Sequence, residues 1–124
     1  MARPGVRREL VSAARRGRTV TYGHLMKKFG IPRGRAGGKG ITAVIGEIDG
    51  LEEAAKAPGF GPIIVRKDTG FPGGGFFCYG GIPEGLRRPV SRAQDPRLTE
   101  AEKEYVRKEQ RLVWSFYGQA RRGG

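Results

Sequence analysis

Between Ile31 and Gly46 the chain reads "IPRGRAGGKGITAVIG", a run of glycines and cations that leads into an apolar stretch. Two chemistries need such a loop. A nucleotide-binding loop cradles phosphates with glycine amides, a lysine and a magnesium-holding Ser or Thr. Here Gly38–Lys39 is followed by Gly40, and Arg33 stands five residues before Gly38 where a glycine is required. No apolar strand precedes the loop, so the nucleotide reading fails. "GFPGGG" at 70–75 fails as a dinucleotide fingerprint because no helix follows it. The second chemistry is contact with a nucleic-acid backbone. Arg33, Arg35 and Lys39 sit just before a helix whose first amides and flanking glycines can approach a phosphate. Thr42, and Lys39 beside it, can reach a base edge if that helix enters the major groove.

Other reactive types are sparse. His24 is the only histidine and Cys78 the only cysteine. His24 falls on a short helix, where a packing or surface role is the default. Cys78 lies between Phe77 and Tyr79 in an apolar run, where burial and inertness are the default. Glu47 and Asp49 are two apart and diverge on a helix, so they hold a metal only with help from elsewhere. No catalytic set, no metal site and no cofactor are expected.

Positioning these residues takes four helices and a β-rich segment. Pro4–Arg16 reads as a helix with Val6, Leu10, Val11 and Ala14 on one face. Thr21 is a candidate N-cap for a short second helix lined by Tyr22, Leu25, Met26 and Phe29, which Gly30 and Pro32 end. A third helix is expected from Ile41 to about Lys56. "IIVRK" and "FFCY" read as two strands of a hairpin with a long Gly/Pro tip around residues 68–75. Arg66 and Lys67 lie beside that tip and can grip a phosphate or enter a minor groove. Phe71 at the tip either wedges against bases or folds back onto the core. Thr99 and Glu102 form a capping box for a last helix, with Leu98 as its staple residue. Tyr105, Leu112, Val113 and Phe116 are its expected apolar stripe.

The order predicts an α+β winged helix-turn-helix: three helices plus a β-hairpin wing, with an added C-terminal helix. Residues 1–81 form the winged-helix domain and 82–97 an irregular Pro/Arg-rich connection. Residues 98–120 form the last helix, packed on or extending the same domain, and 121–124 a basic tail.

Charge names the partner class. The 124 residues carry 24 Lys and Arg against 12 acids, a formal charge of +12. Residues 1–39 hold eleven cations and one acid, whereas residues 40–57 hold four acids and one lysine. A polyanion therefore meets the first third of the chain. Arg7, Arg8, Arg15 and Arg16 on the first helix add non-specific attraction. A lone cysteine excludes an internal disulfide. No apolar run suits a membrane span or a secretory leader, so a cytoplasmic or nucleoid location is expected.

"GRTVTYGHLMKKFGIP" resembles the start of the DNA-binding domain in alkylguanine DNA alkyltransferases and alkyltransferase-like proteins, through Val20, Thr21, Tyr22, Gly23, Gly30 and Pro32. "AVIG" at 43–46 is similar to the family's Ala-Val-Gly on its recognition helix. "IVRKDTGFPGGGFFCYGG" at 64–81 is similar to its wing. The same Thr-Tyr-Gly and hairpin pair is also similar to small prokaryotic proteins of that pattern. The resemblance spans roughly residues 17–81 and implies a winged-helix fold and DNA contact, with Tyr22 in the contact set. It does not carry the family's chemistry. The alkyl-accepting Pro-Cys-His-Arg is absent: Pro62 is followed by "IIVRK", and Cys78 lies in the wrong strand. The nucleotide-flipping arginine is matched by Thr42.

The expectation is a small, basic, non-enzymatic protein that binds double-stranded DNA. It would use Arg33, Arg35, Lys39, Thr42, Arg66, Lys67, Tyr22, Arg15 and Arg16. An RNA- or ribosome-associated module and a divergent nuclease or nuclease subunit are the alternatives. A protein partner could dock on the C-terminal helix, whose Trp114, Phe116 and Tyr117 crowd one small core.

Overall fold

A computed structural model describes residues 4–34, 40–78 and 81–123. Helix α1 spans Pro4–Arg15, strand β1 Val20–Thr21, helix α2 Tyr22–Phe29, helix α3 Ile41–Ala54, strand β2 Ile64–Val65 and helix α4 Glu100–Gly123. Short 3-10 turns occupy Gly61–Ile63, Gly74–Cys78, Glu84–Leu86 and Val90–Arg92. The architecture is mixed α+β.

The helix boundaries follow local chemistry. Thr21 caps α2 by accepting the His24 N–H at 3.1 Å. Gly30 ends that helix in the left-handed region at φ 64°, returning its N–H to the Met26 carbonyl. The capping box of α4 forms in both directions. The Thr99 N–H donates to Glu102 Oε1 at 2.8 Å, and the Glu102 N–H donates to Thr99 Oγ1 at 3.1 Å. α4 then runs to Gly123, through most of what reads as a tail.

The predicted hairpin is corrected. β1 and β2 pair in parallel, with Val20 opposite Ile64 and Thr21 opposite Val65. "FFC" is not a strand but part of a 3-10 turn; Tyr79 lies outside the described residues. The reason is tertiary. The Phe77 carbonyl accepts the Arg88 N–H at 2.8 Å. A Cβ on Gly74 would stand 2.6 Å from the Asp95 carbonyl oxygen and 2.7 Å from that of Ala93. The Pro/Arg-rich segment thus lies directly on this backbone, and the apolar run packs against it instead of pairing.

Two apolar clusters make the interior. The larger joins all four helices and β1 through residues such as Val6, Leu10, Leu25, Ile48, Phe60 and Val113. The smaller sets Phe77, Ile82 and Val106 against Phe71, Leu86 and Leu98. The stripe of α4 is also corrected. Its buried face is Glu102, Val106, Gln110, Val113 and Tyr117, while Leu112 is 53% and Phe116 42% exposed. Those buried residues recur at three- and four-residue steps and include three polar groups, which an apolar count passes over.

Candidate nucleic-acid interface

The quoted loop is pinched at its neck. The Ile41 N–H donates to the Pro32 carbonyl at 3.0 Å. Gly34 has φ +75°, and a Cβ there would lie 2.6 Å from the Gly40 Cα. Only glycines allow this crossing. It brings exposed Arg33 against the first turn of α3, where Thr42 is also exposed. Arg35 and Lys39 lie outside the described residues.

The outward face of α3 is small and then acidic. Thr42, Ala43, Gly46, Glu47 and Gly50 are exposed, followed by Leu51 and Glu53. The helix carries Glu47, Asp49, Glu52 and Glu53 and no cation. Its first turn is free of charge, and its carboxylates repel a phosphate from Glu47 onward.

Several predicted residues have other engagements. Arg66 forms a fork with Asp68, Nε to Oδ1 at 2.9 Å and Nη2 to Oδ2 at 2.7 Å. Its N–H also closes the turn by donating to the Phe71 carbonyl at 2.9 Å. Lys67 beside it is exposed. Phe71 folds back, with Lys103 and Arg107 over its ring at 5.9 and 5.5 Å. The Tyr22 hydroxyl accepts the Gly73 N–H at 3.4 Å and so links α2 to the same turn. Arg15 and Arg16 are exposed at the C-terminal end of α1. α1 and α2 run antiparallel, since Gly5 abuts Phe29 and Glu9 binds both His24 and Lys28. Arg15 and Arg16 therefore lie at the opposite end of the α1–α2 pair from Arg33, and one contact patch does not hold both.

Three residues of the reactive types make contacts within the fold. His24 Nε2 and Glu9 Oε2 are 2.7 Å apart, and Lys28 donates to Glu9 Oε1 at 2.8 Å. Lys28, then His24, holds the Glu9 carboxyl below its usual range. Cys78 Sγ lies 3.7 Å from the Pro89 carbonyl oxygen. Asp49 accepts the Phe60 and Gly61 N–H groups at 2.7 and 3.0 Å, so its carboxylate clamps the chain after α3. No group of three or more His, Cys, Asp or Glu placed to hold a metal occurs among the described residues. On α4, the Trp114 Nε1–H donates to the Arg18 carbonyl at 3.0 Å and Tyr117 is buried, which leaves Leu112 and Phe116 as its exposed large apolar groups among the described residues. No helix among the described residues is long and apolar enough to cross a membrane.

Burial pushes the Asp49 carboxyl up to about 6, against the two amides that favour its ionised form. The folded chain therefore keeps a proton that the unfolded chain has released. That contribution to stability is fully present below about pH 3.8 and is lost as pH rises through about 6. Relative to Asp49→Asn, the wild type should lose on the order of 2–3 kcal/mol between these limits. Urea midpoints of both proteins across this range measure it; a difference that stays flat with pH rules the shift out.

Comparison of the chain with protein-family models, curated proteins and solved structures finds no match. The class the geometry itself defines is an α+β chain with a strongly cationic N-terminal third.

Proposed function

We propose that this protein binds double-stranded DNA as a variant of the winged helix-turn-helix, without performing chemistry on it. α2, the pinched loop and α3 act as the helix-turn-helix pair, and the closed turn from Arg66 to Phe71 stands in for the wing. The observation that carries this reading is the pinch, which sets Arg33 beside the exposed Thr42, Ala43 and Gly46 of α3, with Glu47 at the edge of that face. Small exposed residues let a helix backbone approach the duplex, and the cations ahead of them neutralise phosphates. Lys67 is the cation the turn offers, because Asp68 already neutralises Arg66. The resemblance to the alkyltransferase DNA-binding domain supports the same assignment and lends no alkyl transfer.

The test is a titration against a short duplex at several salt concentrations. Two variants accompany the wild type: Arg33→Ala/Arg35→Ala/Lys39→Ala, and Gly46→Leu. A Cβ on Gly46 meets nothing within 4 Å, so the bulkier residue obstructs docking without disturbing the fold. The triple variant should lower the salt slope by up to about 2.7, at about 0.9 per phosphate. Gly46→Leu should weaken binding with little change in slope. Neither change having an effect would overturn the α3 assignment. Structured RNA competing better than duplex DNA at equal salt would replace DNA with RNA as the partner.

A further inference from the structure

We infer that the outward face of α1 and the turn after it form a second, sequence-independent track for the DNA phosphate backbone, separate from the α3 face. This rests on the DNA-binding reading above. With Val6, Leu10 and Ala14 turned into the core, the helical repeat directs Arg8, Ser12 and Arg15 outward. Arg16 and Arg18 follow in the turn. Each of these four arginines is exposed, and none has an ion-pair partner among the described residues. The neighbouring acids are already committed. Glu52 takes Arg7 in a fork at 2.9 Å and also accepts the Tyr117 hydroxyl, and Glu9 takes His24 and Lys28. Arg7, which the charge count places with the others, is therefore removed from the set. Arg18, which it does not single out, joins it.

The track has shape as well as charge. Two shallow grooves, of about 410 and 530 Å³, flank it and share Ser12 and Arg16. The turn is a fixed platform: the Arg18 N–H donates to the Ala13 carbonyl at 2.9 Å, and Trp114 of α4 holds the Arg18 carbonyl. Arg8 and Arg15 are about 10 Å apart along the helix axis at 1.5 Å per residue, close to three nucleotide steps at 3.4 Å per strand. All four cations are arginine, whose planar fork pairs with phosphate oxygens in two parallel bonds. The ridge offers no Asn or Gln to read an adenine edge, and arginine forks spent on phosphates read no guanine, so it holds DNA without choosing a sequence.

The experiment compares full-length wild type with two quadruple variants, Arg→Gln and Arg→Lys, each at 8, 15, 16 and 18. Binding to short duplexes of two unrelated sequences is followed between about 50 and 200 mM salt. The Gln variant should lose up to about 3.6 from the salt slope, equally on both sequences, while the Lys variant retains the slope. All four positions are exposed, so circular dichroism should show the fold intact. An unchanged slope in the Gln variant, with wild type binding and the Arg33/Arg35/Lys39 variant impaired, overturns this track and leaves the α3 assignment standing. Absence of wild-type binding at the lowest salt overturns both. A loss confined to one sequence overturns the track's sequence independence.

Discussion

Arg88→Ala should destabilise the fold by about 3–5 kcal/mol, the range expected when a buried ion pair loses one member. Arg88 is 4% exposed and Glu102 is 4% exposed. Nε and Nη2 donate to Glu102 at 2.7 and 2.8 Å. The same guanidinium donates to the Arg92, Asp95 and Arg97 carbonyls at 3.3, 2.9 and 2.6 Å. It also faces the Phe77 ring at 5.5 Å. One side chain thus satisfies the turns of residues 92–97 and ties them to the first turn of α4. Its removal leaves Glu102 charged in a dry site and the Asp95 and Arg97 carbonyls short of a donor, while the Arg92 carbonyl keeps the Asp95 N–H. Arg88→Lys should recover only part of the loss, because an ammonium cannot span acceptors laid out for a planar fork. Arg88, foremost, holds the Glu102 carboxyl below its ordinary range. The pair's contribution is therefore present above the usual glutamate range and lost as pH falls through the lowered value. Equilibrium urea unfolding near neutral pH reads the effect. A loss under about 1 kcal/mol would show that water or rearrangement replaces the network.

Phe60→Ala should cost a similar amount, about 3–5 kcal/mol, by a different route. Phe60 is fully buried and stacks on Tyr117 with centroids 5.0 Å apart and planes at 27°. Deleting the ring opens a cavity in the larger apolar cluster beside Tyr117 of α4. It also frees Tyr117, whose hydroxyl donates to Glu52 Oε1 at 2.8 Å. Small domains are stable by only about 5–15 kcal/mol, so the variant should melt far below the wild type or fail to fold. Phe60→Leu refills most of the space and should lose less than half as much. Equal losses for the Ala and Leu variants would mean that the stacking on Tyr117, not the volume, is what matters. The Asp49 clamp sits on the amide of this same residue, so changes at Asp49 and Phe60 should not be additive.

The extent to which the site could be read from the chain differs by element. The placement of Arg33 and Thr42 at the start of α3 was legible because Gly30 and Pro32 stop α2 and the apolar repeat restarts at Ile41. Both are local signals. The fork between Arg66 and Asp68 is local too, yet cation counting misses it because it ignores the acid two residues on. The diversion of Arg7 to Glu52 joins residues 45 positions apart, and no local pattern reports it.

What the sequence determined by itself is the set of helices, their caps and the placement of charge. Each depends on residues within a turn or two of one another: Thr21 on His24, Thr99 on Glu102, Gly30 on Met26. Tertiary structure alone decided how the β-rich runs were used. β2 pairs in parallel with β1, more than forty residues earlier, and "FFC" is held in a 3-10 turn by a chain segment that Arg88 anchors. It also decided which face of α4 is buried, since Glu102 and Gln110 enter the interior only because Arg88 and the Pro62 carbonyl await them there. A buried polar group is stable only with its partner in place, and the partner's position is a property of the folded chain.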